Sequence, residues 1–219
     1  METNTKTLRL IELFGSVQGE TSFSGLPTTF IRLASCNLRC TWCDTPYSFG
    51  RGDAYSLEEI LKQVKENHLK WVCITGGEPL LQENVYPLMQ ALIDLGYIVS
   101  LETSGSLCTQ RVPEKVAIIL DIKCPGSGME SKNLFSNLNH LKNNDEVKFV
   151  IKDEIDYRYS LDICRKFGLF EREKQPLFSP VHDELDSKLL IDWIKRDKIA
   201  VRLNLQIHKF IWSKDTKGV

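Results

Sequence analysis

The sequence predicts an α/β fold, a partial and open βα barrel of the TIM-like kind. Three observations lead there. Short runs of β-branched and aromatic residues alternate with amphipathic helical patterns, which implies parallel βα units. The strand runs are nearly continuous in apolar residues, as in a sheet covered on one face by helices. The units fall short of eight in 219 residues, too few for a closed (β/α)8 barrel. A flat doubly wound sheet competes. In either arrangement ligands collect at the carboxyl ends of the strands.

The elements follow in order. "TLRLIELF" (7–14) reads as a leading edge strand. "TTFIRLA" (28–34), "KWVCIT" (70–75), "YIVSLE" (97–102), "VAIILDI" (116–122), "EVKFVI" (146–151), "PLFSP" (176–180) and "IAVRLNL" (199–205) read as further strands. In "SLEEILKQVKENH" (56–68), Ser56 and Glu59 form a capping-box pair, and Leu57, Ile60, Leu61 and Val64 make one apolar face. In "ENVYPLMQALIDLG" (83–96), Pro87 sits early, where it costs least, and Gly96 supplies the stop. "DYRYSLDICRKFG" (156–168) and "SKLLIDWIKRD" (187–197) are also amphipathic. With no repeat and no linker-like segment, residues 1–219 read as a single domain.

Composition narrows the function classes. A formal net charge of −1 gives no general attraction to nucleic acid or to an anionic membrane. No apolar run is long enough to span a bilayer, and the first residues lack the apolar core of an export signal. Seven cysteines without such a signal favour a reducing compartment, the cytoplasm, and free or metal-bound thiols.

Three of those cysteines stand in "ASCNLRCTWCDTPYSF" (34–49), spaced C-x3-C-x2-C as Cys36, Cys40 and Cys43. A [4Fe–4S] cluster normally takes four thiolates, so three in one loop leave one iron open for another ligand. Two other readings stand beside that one. A fourth ligand from Cys73, Cys108, Cys124 or a histidine would make a zinc site, and buried cysteines also serve as small hydrophobes. "TGGEP" follows the next strand, where two glycines let a backbone edge approach a ligand. Its exposed peptide groups and Glu78 could hold an ammonium group, although Gly and Pro mark ordinary turns as well.

On these residues the chain resembles the radical S-adenosylmethionine (SAM) enzymes. Their signature has three cysteines at this spacing with an aromatic, here Trp42, just before the last, and Gly-Gly-Glu-Pro after the next strand. The order of "VQGE" (17–20), "CDT" (43–45), "TGGEP", "LETSG" (101–105), "DIKCPGSG" (121–128) and "LNLQIHKFIW" resembles the 7-carboxy-7-deazaguanine synthase (QueE) family from end to end. The resemblance implies a partial barrel of the radical SAM type, a [4Fe–4S] cluster on Cys36, Cys40 and Cys43, SAM on the open iron, and Mg²⁺ on Thr45. It implies ring contraction of 6-carboxy-5,6,7,8-tetrahydropterin to 7-carboxy-7-deazaguanine with loss of ammonia, for queuosine-type 7-deazapurines. SAM contacts carry over to Trp42, Cys43, Asp44, Gly77, Ser104, Asp121, Ile122, Lys123, Ser179, Pro180, Val181 and His182. At 179–182 the segment "FSPVH" departs from the Gln-Pro-Met type common in the family. Substrate contacts carry over to Val17, Gln18, Gly19, Arg32, Thr75 and the main-chain carboxylate of Val219. A flavodoxin or ferredoxin would supply the electron, and a homodimer is implied.

Elementary chemistry adds reasons and alternatives. Strand alternation puts Phe30, Arg32 and Ala34 on one face, so Arg32 either grips an anion in the lumen or makes a strand-end ion pair. A lone hydroxyl is a weak Mg²⁺ ligand, so Thr45 would need a substrate carboxylate beside it; otherwise it is a turn residue before Pro46. Cys73, Cys108, Cys124 and Cys164 read as bystanders, His68 and His140 as exposed, and His208 stays open because it follows the last strand. Two rivals remain: an activase placing a glycyl radical on a large partner, and a non-enzymatic iron–sulfur or zinc module. "CDT" and "VQGE" speak against the first, and the βα scaffold with its "GGEP" turn against the second.

Overall fold

The computed structural model describes residues 6–213, 216 and 218. β1 (Thr7–Val17) pairs antiparallel with β2 (Pro27–Leu33) on one side and with β3 (Asp53–Ser56) on the other. From β2 onward each new neighbour is parallel: β4 (Trp71–Gly76), β5 (Ile98–Thr103), β6 (Ala117–Ile122), β7 (Glu146–Ile151), β8 (Leu177–Pro180) and β9 (Arg202–Leu203). Among the described residues these nine strands form one open sheet with edges at β3 and β9.

Two sequence expectations need correction. β1 is not the edge, because residues 53–56 pair with residues 7–10 outside it. "DAYS" carries no strand signature of its own; the ladder to β1 makes it one. The run 199–205 is also shorter than expected, since only Arg202 and Leu203 pair with β8. Beyond Leu203 the chain leaves the sheet and makes a single turn, α5 (His208–Ile211).

The helices follow their local signals. α1 (Leu57–Glu66) starts at the capping box, with Ser56 Oγ accepting from the Glu59 amide and the Ser56 amide donating to Glu59 Oε2. α2 (Val85–Asp94) ends in a Schellman pair: the Gly96 amide donates to Ile93 O and the Tyr97 amide to Leu92 O, with Gly96 at φ +88°. α3 (Glu154–Lys166) starts two residues before the expected point because the Asp153 carboxylate caps the amides of Ile155 and Asp156. α4 (Ser187–Asp197) matches its pattern.

Every second strand residue faces these helices. Ile31, Leu33, Val72, Ile74, Leu101, Leu120, Phe149 and Ile151 form one core with Ile60, Val64, Leu88, Leu92, Leu161 and Leu190 of α1 to α4. The alternate residues face the hollow of the open barrel, where the site lies.

Candidate active site

A cavity of about 780 Å³ opens at the carboxyl ends of the parallel strands. Its mouth is the loop after β2. Cys36, Cys40 and Cys43 all line the cavity, are partly exposed, and form no disulfide. The loop is fixed on both flanks. The Ser35 amide donates to Ser48 O at 2.7 Å, and the Thr41 amide and hydroxyl reach Ser127 O and Gly126 O at 3.1 and 2.9 Å. Gly77 lies directly against the loop, where a Cβ would stand 2.1 Å from Ser35 O, so only glycine fits.

The three thiols suit a cluster. They come from one loop, line one cavity and form no disulfide, as three ligands of a four-iron cluster must. Burial, reinforced by nearby anionic groups, pushes the Cys36 and Cys40 thiols up, while Lys123 pulls both down. A bound metal reverses that balance, because a coordinating thiol is deprotonated outright.

The inner wall holds buried charges. Lys148 Nζ sits 2.9 Å from Glu20 Oε2 and 3.7 Å from Asp121 Oδ2, and Lys123 Nζ sits 3.0 Å from Asp121 Oδ2. Burial opposes both lysine charges, yet the carboxylates around them hold both raised. Asp121 Oδ1 is buried with no hydrogen-bond partner, an acceptor suited to a ligand's ammonium, hydroxyl or N–H. Deeper in, Glu102 accepts from Gln18 Nε2 at 3.1 Å and from Thr75 Oγ1 at 3.0 Å. Arg32 Nε donates to Glu12 Oε1 at 2.6 Å. Phe14 and Phe30, stacked 5.2 Å apart, form an apolar wall beside it.

The expected residues largely meet here. Val17, Gln18, Gly19, Arg32 and Thr75 line the cavity, as do Trp42, Asp44, Thr45, Gly77 and Ser104. Asp121, Lys123, Ser179, Pro180, Val181 and His182 line it too. Arg32 combines both readings offered for it, an ion pair and a place in the lumen. The Thr45 hydroxyl makes no cap to the short helical turn 46–49 and lies 3.9 Å from Cys43 Sγ, so the turn does not occupy it.

Four residues sit differently from the rest. Ile122 packs in the core, because strand alternation that turns Asp121 and Lys123 inward turns it outward. Glu78 is fully buried and braces the neighbouring turn, accepting from the Leu80 amide, Thr103 Oγ1, and the Ser104 amide and hydroxyl. It does not line the cavity. Ser104 lines the cavity, but its hydroxyl is already given to Glu78. Ala34 is buried against Gly52 rather than in the lumen. Val219 lies outside the described residues.

Sequence reasoning missed Glu20, Glu102, Lys148 and Gln206 as cavity residues. Glu20 and Glu102 stood inside the motifs "VQGE" and "LETSG" and could have been found there. His208, left open, lines the cavity; burial lowers its pKa and Glu20 opposes that. Cys73, Cys124 and Cys164 are buried and Cys108 exposed, and none of them lines the cavity, although Cys73 lies directly behind Gln18, whose Nε2 is 3.7 Å from its Sγ; His68 and His140 are exposed.

Residues 31–168 match the Radical SAM superfamily, so this is a radical SAM enzyme, with a [4Fe–4S] cluster and SAM as cofactors. The chain is 41% identical over 226 residues to the 7-carboxy-7-deazaguanine synthase of Koribacter versatilis, covering 97% of this chain and 100% of that one. It is 40% identical to the enzyme of that name from Chlorobaculum tepidum, covering 97% of each. The crystal structure of QueE from Escherichia coli superposes with a TM-score of 0.72 at 25% identity, covering 91% of this chain and 94% of that one. SuiB from Streptococcus suis bound to S-adenosylmethionine shares the fold, with a TM-score of 0.54 at 15% identity over 77% of this chain and 44% of that one. The chain belongs to the 7-carboxy-7-deazaguanine synthase family. Similarity to synthases along the whole chain sets aside both rivals, the glycyl-radical activase and the non-enzymatic iron–sulfur or zinc module. Among the described residues no helix is long and apolar enough to cross a membrane.

Proposed function

We propose that this chain, acting as one radical SAM domain, converts 6-carboxy-5,6,7,8-tetrahydropterin to 7-carboxy-7-deazaguanine with loss of ammonia. The observation that carries the proposal is similarity at 41% identity across the whole length of a synthase of that name. The cavity chemistry supports it. In this reading Cys36, Cys40 and Cys43 hold the cluster, and Trp42, Asp44, Gly77, Asp121, Lys123 and residues 179–182 surround SAM. The cluster and SAM, when bound there, would supply one-electron radical chemistry to the substrate.

The chain's own residues bind, orient and hold charge. Glu12 fixes Arg32 through Nε and leaves its terminal nitrogens for the substrate carboxylate. Thr45 would offer one oxygen to Mg²⁺, which would take others from that carboxylate and from water. Gln18 and Thr75 orient Glu102, and the Phe14–Phe30 wall excludes water from one side of a planar ring. Lys148 keeps Glu20 ionised beside the loop 17–19, where main-chain groups meet the pterin edge. An external flavodoxin or ferredoxin, a homodimer, a cytoplasmic site and no nucleic-acid partner complete the proposal. The test is anaerobic reconstitution followed by assay with the carboxypterin, SAM, Mg²⁺ and a one-electron reductant. Production of 7-carboxy-7-deazaguanine is expected; SAM cleavage without that product would overturn the reading.

A further inference from the structure

The segment after β9 lies against the loop between β1 and β2. The Ile207 amide donates to Gly19 O at 2.9 Å, and the Thr21 amide donates to Asn204 Oδ1 at 2.7 Å. The His208 ring lies on Gly19, where a Cβ would come within 1.9 Å of Nδ1. Residues 204–208 are thus stitched to the loop between β1 and β2. The sheet leaves β9 and the β1–β2 hairpin unpaired with each other, and this strap spans the gap. On its other side Lys209 Nζ lies 3.6 Å from Asp44 Oδ2 in the cysteine loop.

One side chain joins the two loops. Gln206 Nε2 stands 2.8 Å from Glu20 Oε1 and 3.2 Å from Asp44 Oδ2. An amide nitrogen carries two hydrogens, and here each is given to a carboxylate from a different loop. Glu20 does not need Gln206 for its place, because Lys148 grips its other oxygen at 2.9 Å. Asp44 is half exposed, with 52% of its side chain open to solvent, and the strap's Gln206 and Lys209 hold it. What Gln206 adds is the link.

We propose that Gln206 is a positioning residue that couples the substrate loop to the cluster loop, so that filling one half of the site strengthens filling of the other. The inference rests on the proposed reading, in which the pterin meets residues 17–20 and SAM meets residues 42–44. A coupling of this kind is reciprocal, so either ligand reports it.

The test uses the reconstituted enzyme and two substitutions of similar size. Gln206→Met removes both donors, and Gln206→Glu sets an acceptor against two carboxylates. In the wild type, saturating carboxypterin should tighten SAM binding roughly five- to tenfold, read from the EPR signal of the reduced cluster. In Gln206→Met that factor should fall below about twofold, and amide exchange should rise together at residues 18–21 and 43–45 in the ligand-free protein. Gln206→Glu should do the same more strongly. Adding Asp44→Asn to Gln206→Glu, which restores a donor–acceptor match, should recover part of the coupling; a purely packing role would show no such rescue. Unchanged coupling in Gln206→Met, or exchange that rises at neither loop, would overturn the proposal. A wild type that makes no deazaguanine product would overturn the reaction instead, and the ligand-free exchange would still judge the strap.

Discussion

Strand β7 presents two different surfaces within six residues. Val147, Phe149 and Ile151 face the helices and join the hydrophobic core. Lys148 and Val150 face the cavity, and Glu146 on the same side accepts from the Ser22 amide. The outer face gains stability from apolar burial, at about 25 cal/mol per Å². The inner face gains little, since taking Lys148, Glu20 and Asp121 out of water costs about as much as their attraction returns. Stability therefore rests on one face and chemistry on the other, and each substitution should report which face it touches.

The largest effect is expected at the cavity mouth. Cys40→Ala, like Cys36→Ala and Cys43→Ala, should lose the cluster and reduce product formation below detection. Cys164→Ala, in the helix layer, should keep the cluster and most of the activity at the cost of some stability. Iron and sulfide content with anaerobic turnover decides it; a Cys40→Ala enzyme with a full cluster and normal SAM cleavage would sink the cluster assignment.

Lys148→Met should come next. It removes the cation from the buried Glu20 carboxylate and leaves Asp121 to Lys123 alone, and breaking such a set costs about 3–5 kcal/mol. Turnover should fall roughly a hundredfold or more, and the melting temperature should drop. Adding Glu20→Gln should recover stability without recovering turnover. Recovery of both would mean the pair only holds the fold together.

Thr45→Ala should act more narrowly. Turnover should fall roughly tenfold and lose its response to Mg²⁺ while cluster content stays normal. A Mg²⁺ titration matching wild type would leave Thr45 as a turn residue.

Phe149→Ala tests the outer face. The ring packs edge-on against Phe178 at 5.6 Å and is fully buried, so its loss should cost about 3–5 kcal/mol. Activity per folded molecule should stay within about threefold of wild type, because nothing in the cavity changes. A large fall in kcat for protein shown to be folded would break the division between the faces.

The same division explains what the sequence made legible. Local signals gave the outer layer: the Ser56–Glu59 box set α1, Gly96 closed α2, and periodicity set α4. Elements without local signals were missed or overdrawn. "DAYS" becomes a strand only through β1, and "IAVRLNL" leaves the sheet after Leu203 because Asn204 and Gln206 turn to Thr21 and Glu20. The cluster loop and "TGGEP" were readable because their residues are contiguous. Lys148 was not, since a lysine in a strand reads as a solvent-facing charge until the curvature of the sheet says which side is hollow. Glu78 misled for the converse reason: a motif fixes position, not whether a carboxylate faces a ligand or a neighbouring turn.

The smallest effect, and the sharpest contrast, lies in acid. Burial pushes the Glu20 carboxyl up, but Lys148, Gln206 and His208 reverse this and carry it from the ordinary 4.5 down to about 2. Between those values the unfolded chain binds more protons at this site than the folded one, so stability rises with pH across the window. The contribution is complete above about pH 4.5 and is lost as pH falls toward 2. In cluster-free protein, urea midpoints of wild type and Glu20→Gln should therefore differ most near neutrality and converge as pH falls through that window. Phe149→Ala, which removes no titrating group, should lower the midpoint by the same amount at every pH. Parallel acid limbs for wild type and Glu20→Gln would show that the Glu20–Lys148 pair contributes nothing to the folded state, and the inner face would then owe its charges to chemistry alone.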